Sequence, residues 1–421
     1  MVARVEPAQE APVSNSRLAR DSADRPGDDP IFALNAEAER RARAGERILN
    51  STLGSLMDES GRLAVMPAVF EAFGRVDPAR AAGYAPISGP PAFLAAVVAD
   101  LLDKSPLAEA AVAAATPGGT GALHHAIVNF LEPGEKLLTT SYYWGPYATL
   151  ATHTRRSLAT FEMFRSGGGL DTAALERALR RLQSEQSRSL VVLNTPCHNP
   201  TGYSFDAGDW ERVTALLARA AEVAPVTLLL DLAYAKFAGA RSVDWLRAIE
   251  PLLGHVTLLF AWTASKAFAQ YGARVGACVA VEADRGGRER IKNALGFSCR
   301  GTWSNCNHLG MLAVTELLTD PALRARADRE REGLRGLLQE RVRLFNELAS
   351  AAGLEFPRYE GGFFVAVFTP DARRTAEVMR QDGVYVVPLE RAVRIAICAT
   401  PLAEVPRLVQ SVERGVRAAG G

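Results

Sequence analysis

Three short apolar runs in the middle of the chain are each followed by polar residues of the kinds that enzymes use. The runs lie at residues 190–193, 226–230 and 256–260. Asn199 follows the first run, Asp231 and Tyr234 follow the second, and Lys266 and Arg274 follow the third. Ligands of open parallel sheets bind beyond the carboxyl ends of the strands, so this order predicts one site that combines an amide, a carboxylate, a phenol and two cations.

Each of these residue types suits a definite chemical task. A buried lysine beside a cation has a lowered pKa, and its neutral amine can attack an aldehyde and carry protons. Asp231 follows a wholly apolar run, so its carboxylate needs a cationic partner to offset the cost of burial. The alternatives are a helix N-cap for Asp231, core packing for Tyr234 and a turn at the Asn-Pro-Thr-Gly string that begins with Asn199.

Alternating helices and strands must position these residues. Patterns with helical spacing occur at residues 91–102, 171–182 and 209–221. The continuous apolar runs between them are typical of strands buried on both faces of a parallel sheet. A length of 421 residues exceeds what one compact core holds and predicts two domains in an α/β protein.

The two ends of the chain differ from this middle part. Residues 320–351 are charged, with apolar residues at helical spacing, and predict a long helix that connects to a smaller α+β domain. Candidate strands of that domain lie at 363–368, 384–387 and 393–398. Residues 1–29 show no periodicity and are rich in Ala, Pro, Asp, Arg and Ser, which predicts a disordered arm.

Composition limits the class of partner and the compartment. The 48 basic and 47 acidic residues nearly balance, so neither nucleic acid nor an anionic membrane is an expected partner. Five cysteines without a CxxC pair predict neither disulfides nor a metal site, and they favour the reducing cytoplasm. The chain also contains no apolar run of membrane-spanning length and no apolar segment of a signal peptide near its start.

Seven pieces of the chain, spread over residues 30–415, resemble class I aminotransferases of the aspartate/aromatic type, within the pyridoxal-phosphate (PLP) enzymes of fold type I. The pieces follow the family's order, and they are residues 84–89, 116–123, Trp144, 199–202, 231–234, 263–276 and Arg394. The resemblance implies a large domain with a mostly parallel seven-stranded sheet between helices. It implies domain bounds at 30–58 for an N-terminal part of the small domain, 59–325 for the PLP-binding domain and 326–421 for the rest of the small domain. It also implies a homodimer with shared active sites.

The resemblance assigns the cofactor roles residue by residue. Lys266 carries PLP through an imine and moves protons, Asp231 pairs with the protonated pyridine nitrogen, and Tyr234 with Asn199 bonds the phenolic oxygen. Trp144 stacks on the ring; plain core packing is the alternative. The phosphate is held by a helix N-terminus, hydroxyls and an arginine fork, with one residue from the neighbouring subunit, and these residues are Gly119, Thr120, Thr263, Ser265, Arg274 and, across the dimer, Tyr84.

The resemblance also implies a substrate site that includes Trp144 and Asn199. Arg394 binds the α-carboxylate; alternation along a strand places it on one face with residues 396 and 398, and Arg391 is a solvated competitor. Gly54 fits the segment over the site. Arg300 resembles the residue that reaches a distal carboxylate across the dimer, and a rim arginine is the alternative.

Together these features predict transfer of an amino group between an L-amino acid (aspartate, glutamate or an aromatic one) and a 2-oxo acid such as 2-oxoglutarate. Aspartate-type members often have a histidine where Asn194 stands and another near Tyr147, and these differences leave the exact substrate open. A fold type I enzyme of another outcome (a lyase, decarboxylase or oxidase) in a specialised biosynthetic pathway is the alternative. A PLP-dependent regulator would need a DNA-binding module, for which residues 1–29 are too short. The family also predicts a cis Asn199–Pro200 peptide bond.

Overall fold

The computed structural model describes residues 17–23, 25, 27, 30–239 and 244–420. The strands are β1 Leu49–Asn50, β2 Ala111–Pro117, β3 Lys136–Thr140, β4 Ser157–Phe161, β5 Ser189–Asn194, β6 Val226–Asp231, β7 Thr257–Thr263, β8 Val275–Val281, β9 Phe364–Phe368, β10 Val384–Tyr385, β11 Val387–Pro388 and β12 Ala392–Ala396. The helices are α1 Arg20–Ala23, α2 Pro30–Arg43, α3 Pro67–Arg75, α4 Pro78–Ala82, α5 Pro91–Leu102, α6 Gly118–Phe130, α7 Pro146–His153, α8 Thr172–Glu185, α9 Ala207–Ala221, α10 Trp245–Ile249, α11 Ala264–Ala267, α12 Arg285–Thr302, α13 His308–Thr319, α14 Pro321–Ala351, α15 Ala372–Gln381 and α16 Val405–Gly420.

A seven-stranded sheet in the order β2-β8-β7-β6-β5-β3-β4 forms the centre of the molecule. Only β8 runs against its neighbours in this sheet, which makes the sheet mostly parallel. The apolar runs predicted as strands are β5, β6 and β7, and all residues of β5 and β6 are buried. Val191 and Val192 of β5 pack into different apolar clusters on the two faces of the sheet. The predicted fold class is confirmed.

A second set of strands lies towards the C-terminus. Strands β11, β12 and β9 form an antiparallel sheet, and β1 pairs with β10. The predicted strand at 384–387 is wrong as a single element, because its first half pairs with β1 and its second half with β12. The predicted strand at 393–398 ends at Ala396, since a 3-10 turn, Ile397–Ala399, turns the chain so that Cys398 N–H donates to Phe363 O.

Sequence periodicity located the helices to within a few residues. Helix α5 has the predicted bounds, and the long connecting helix is α14, whose N-terminus is capped by the Asp320 carboxylate. Helix α9 begins before the predicted residue 209, because Asp206 and Asp209 form a capping box there. The predicted arm, residues 1–29, lies largely outside the described residues and stays a prediction. Within the described ranges, no helix combines the length and apolarity needed to cross a bilayer.

Candidate active site

A cavity of about 80 Å³, here called the inner cavity, opens beyond the carboxyl ends of β5, β6 and β7 and beside the start of α6. The residues that line it are Gly119, Thr120, Leu123, Trp144, Asn194, Asn199, Asp231, Ala233, Tyr234, Thr263, Ser265, Lys266 and Arg274. The fold therefore brings together nearly all of the residues that the sequence predicted for the cofactor.

Lys266 lies in α11, the short helix that directly follows β7. Its Nζ is 5.4 Å from the centroid of the Tyr234 ring. Burial is the main cause that lowers the Lys266 pKa; the positive charge of Arg274 adds to this effect, while Asp231 opposes it. A lowered pKa increases the fraction of neutral amine, which is the form that reacts with an aldehyde.

Asp231 is the last residue of β6 and is buried. The Tyr147 hydroxyl donates to its Oδ2 at 2.7 Å, and the Ala233 N–H donates to its Oδ1 at 3.1 Å. Burial raises the pKa of Asp231, and the bond from Tyr147 acts against that rise. Sequence reasoning did not identify Tyr147 as the partner of this carboxylate. It also gave no role to Asn194, whose Nδ2 donates to the backbone oxygen of Asp231 at 2.7 Å.

Asn199 and Tyr234 lie side by side on the wall of the cavity. The amide Nδ2 of Asn199 donates to the Tyr234 hydroxyl at 3.3 Å, and Asn199 Oδ1 is buried with no partner among the described residues. Burial, with Asp231 nearby, raises the pKa of Tyr234, so its hydroxyl keeps its proton. The predicted cis Asn199–Pro200 bond is confirmed, and the Thr195–Pro196 bond, which was not predicted, is cis as well.

The residues predicted for the phosphate surround the start of α6. Gly119 and Thr120 belong to the first turn of this helix, where backbone N–H groups lack partners within the helix. Arg274 Nη1 donates to Ser265 Oγ at 3.4 Å, and Thr263 Oγ1 donates to the same oxygen at 3.0 Å. A helix N-terminus, two hydroxyls and a guanidinium thus face one end of the cavity.

Two glycines allow close contacts that a larger residue would prevent. Gly118 has φ +71°, and a Cβ there would lie 2.6 Å from Arg274 Nη2. A Cβ on Gly54 would lie 2.4 Å from Phe364 Cζ. Gly118 therefore lets the arginine reach the start of α6, and Gly54 lets the segment around it cover Phe364.

Arg394 lies in a second, larger cavity of about 430 Å³, here called the outer cavity, which shares Trp144 and Asn199 with the inner one. Its side chain is buried, with Nη2 donating to Thr52 O at 2.5 Å and Cζ 4.5 Å from the centroid of the Phe364 ring. Arg391 lines the same cavity but is exposed. Arg394 is thus buried and Arg391 exposed to solvent, which is the difference between the two arginines that the sequence predicted.

Three predicted site residues, Gly54, Tyr84 and Arg300, line neither cavity in this single chain. Tyr84 is 93 % exposed, and Arg300, in the last turn of α12, is exposed and donates to Ser304 Oγ at 2.6 Å. Phe297, one turn earlier on α12, is 83 % exposed, and Ile87 is also exposed. We call this set, Tyr84, Ile87, Phe297 and Arg300, the exposed edge.

The chain is similar to known proteins in both sequence and structure. A family model described as aminotransferase class I and II matches residues 48–412. An aromatic-amino-acid aminotransferase of Paracoccus denitrificans is 28% identical over 370 residues, or 85% of this chain and 91% of that protein. An aspartate aminotransferase of Pseudomonas aeruginosa is 28% identical over 399 residues, or 91% and 97%. The crystal structure of an aminotransferase from Anaerococcus prevotii has a TM-score of 0.90 at 28% identity, over 95% of this chain and 99% of that one.

Proposed function

The chain belongs to the class I and II aminotransferases, and we propose that the inner and outer cavities together form its active site. It is a PLP-dependent aminotransferase, which transfers an amino group between an amino acid and a 2-oxo acid. One observation carries the site assignment: the inner cavity gathers a lysine of lowered pKa, a buried carboxylate and an arginine at a helix N-terminus.

The residues of the inner cavity fit PLP group by group. Lys266 offers an amine to the aldehyde, Asp231 a carboxylate to the ring nitrogen, and Arg274 with the start of α6 a cup for the phosphate. Asn199 Nδ2 keeps a second N–H, and the Tyr234 hydroxyl keeps its own proton, so both side chains can donate to the phenolic oxygen. No group of the cofactor meets a side chain of unsuitable charge in this assignment.

When bound, PLP supplies an aldehyde that takes up the amino group and a ring that withdraws electrons from the α-carbon. Arg394 binds the α-carboxylate and fixes the orientation of the α-carbon. Lys266 Nζ would act as the base that removes the α-proton of the substrate, and the same atom would hold that proton for its return. Asp231 would pair with the protonated ring nitrogen, and Trp144 would cover the ring and exclude water. Burial lowers the pKa of Lys266, which favours the neutral amine that acts as the base.

For the substrate class we propose aspartate, glutamate or aromatic amino acids, with 2-oxoglutarate as an acceptor. The names of the Paracoccus and Pseudomonas relatives support this range. Arg300 would bind a distal carboxylate, and Gly54 would form part of the cover over the substrate. These relatives favour amino-group transfer over the lyase, decarboxylase and oxidase outcomes.

We propose further that the enzyme is a homodimer with shared active sites. The exposed edge supports this, because two large aromatic side chains, Tyr84 and Phe297, are almost fully in solvent in the single chain. A Cβ on Gly296 would lie 3.0 Å from Ser88 Oγ, so the loop around Tyr84 adjoins α12. A second copy packed on this edge would carry Tyr84 and Arg300 towards its partner's cavities.

The two-domain division at residues 58/59 and 325/326 is likewise proposed. One apolar cluster gathers buried residues from Met66 to Ala327, and a separate cluster gathers Leu49, Leu56, Ala64 and most buried apolar residues from Leu338 onward. The change of cluster along α14 lies close to the proposed boundary. All five cysteines are buried and free, which supports a reducing compartment, the cytoplasm.

Borohydride reduction followed by peptide mapping tests the site assignment. Reduction fixes PLP on the amine that carries it, and we expect the modified peptide to contain Lys266. A label on another residue, or none, would overturn the assignment. Adding an amino donor without an acceptor should convert bound PLP to pyridoxamine phosphate in one turnover, and a failure to do so would count against transfer.

A further inference from the structure

A buried hydrogen bond from Tyr147 supports Asp231. Tyr147 lies in α7, is 1% exposed, and donates its hydroxyl proton to Asp231 Oδ2 at 2.7 Å. The other carboxylate oxygen receives the Ala233 N–H at 3.1 Å. Each oxygen has a second lone pair, so both bonds leave the carboxylate able to accept one more proton donor.

The bond has a fixed direction over the whole working pH range. Burial and the neighbouring Asp231 raise the Tyr147 pKa well above its usual range, so this hydroxyl always donates. The titratable groups that face Asp231 are Tyr147, Tyr234 and Lys266. A hydrogen bond donated to a carboxylate favours its ionised form, which acts against the effect of burial. A histidine, which aspartate-type relatives often carry near this position, would instead titrate close to neutral pH.

Tyr147 also contacts a second residue of the proposed site. Its ring packs edge-on against Trp144, with the centroids 5.7 Å apart and an angle of 87° between the planes. Trp144 is the residue proposed to stack on the cofactor ring. Tyr147 thus connects the carboxylate that would pair with the ring nitrogen to the side chain that would cover the ring.

We propose that Tyr147 is a positioning residue for the cofactor: its donated proton keeps Asp231 ionised and correctly turned to hold the protonated ring nitrogen. This proposal rests on the proposed function, namely on the pairing of Asp231 with that nitrogen. Tyr147 touches neither the substrate nor the reacting atoms; it acts through Asp231.

The chain offers a matched control for the loss of this hydroxyl. Tyr203 is 2% exposed and donates to the buried Asp209 Oδ2, also at 2.7 Å, at the start of α9. It lines neither the inner nor the outer cavity. Tyr147→Phe and Tyr203→Phe therefore remove the same kind of bond from the same kind of buried pair, one beside the cofactor site and one away from it.

The experiment measures the dissociation constant of PLP on apoprotein and the pH titration of the bound cofactor's absorbance. We expect Tyr147→Phe to weaken PLP binding about tenfold, a usual effect for one hydrogen bond to a charged group, and Tyr203→Phe to leave it unchanged. The midpoint pH of the absorbance titration should rise in Tyr147→Phe. A ring nitrogen that holds its proton less firmly makes the ring withdraw electrons less strongly, so the titrating group of the bound cofactor keeps its proton to a higher pH. The thermal unfolding temperatures of the Tyr147→Phe and Tyr203→Phe apoproteins should fall by similar amounts relative to the wild type.

Asp231→Asn separates failure of this proposal from failure of the proposed function. If Asp231→Asn leaves PLP affinity and spectrum unchanged, Asp231 does not pair with the ring nitrogen and the site assignment fails. If Asp231→Asn weakens binding but Tyr147→Phe does not, or if both Phe variants weaken it equally, the role of Tyr147 alone is overturned.

Discussion

The inner cavity and the exposed edge are built in different ways. Lys266, Asp231 and Asn199 come from the carboxyl ends of neighbouring strands of one sheet, and they converge within a single chain. Tyr84 and Arg300 also resemble active-site residues in sequence, yet in the single chain they lie in solvent. In the proposed homodimer, one chain would supply most of the cofactor site, whereas the second copy would supply Tyr84 for the phosphate and Arg300 for a distal carboxylate of the substrate.

Burial separates the two regions electrostatically as well. In the inner cavity, desolvation raises the pKa of Asp231 and lowers that of Lys266, so each group departs from its behaviour in water. Arg300 remains solvated, and a charge in water gains little from a partner until water is removed. Substitutions should therefore have large effects in the inner cavity and smaller, substrate-dependent effects at the exposed edge.

The largest effect is expected from Lys266→Ala. It removes the amine that binds the aldehyde and carries the proton, and acid–base catalysis alone accounts for about 10²–10⁴-fold in rate. Transamination rates in purified protein would show this loss, and added PLP should not restore them. Lys136→Ala is the control, because Lys136 begins β3, away from the carboxyl ends, and its side chain pairs with Glu185 at the surface. Equal losses in both variants would remove the special role of Lys266.

Arg394→Ala should give the next largest effect. Loss of a buried guanidinium that binds a carboxylate with two bonds should lower kcat/KM by about 10²-fold for every amino donor. Arg391→Ala, in the same cavity but exposed, should have a much smaller effect. Steady-state kinetics with several amino donors would compare the two variants. A larger loss of kcat/KM in Arg391→Ala would indicate that Arg391, and not Arg394, binds the α-carboxylate.

Much of the inner cavity could be predicted because buried parallel strands leave a plain signal. Continuous apolar runs mark β5, β6 and β7, and the polar residue at each strand end must face the same edge. Asn194 carries this signal too, as the last residue of β5, and could have been found by it. Tyr147 carries no such signal, because it lies on a separate short helix whose approach to Asp231 depends on tertiary packing.

The small strands near the C-terminus were harder to predict for a related reason. Residues 384–387 form one apolar run, but Val384 pairs with Leu49 and Val387 with Arg394. The partners, which are far apart in sequence, decide where each strand ends, and local composition contains no information about them. The contacts of the exposed edge were the hardest to predict from local sequence, since the proposed partner of this edge is another chain.

Arg300→Ala should affect only one class of substrate. If Arg300 binds a distal carboxylate, kcat/KM for aspartate and glutamate should fall about 10–100-fold, the usual effect of a lost bond between charged groups, while aromatic donors change little. A panel of donors with 2-oxoglutarate fixed as acceptor separates the classes, provided that the acceptor is kept saturating. A uniform loss, or no loss, would leave Arg300 as a rim arginine.

Tyr84 should give the smallest effect and the sharpest test of sharing between copies. Tyr84→Phe removes one hydroxyl, so we expect PLP to bind a few-fold less tightly while the dimer persists, as light scattering would show. Tyr84→Ala also removes the exposed ring and should weaken the dimer itself, because that ring supplies apolar area at the exposed edge. If both variants bind PLP as the wild type does and both remain dimeric, Tyr84 is an ordinary surface tyrosine. A loss of PLP affinity that grows on dilution of Tyr84→Ala would instead indicate that each inner cavity is completed by the neighbouring copy.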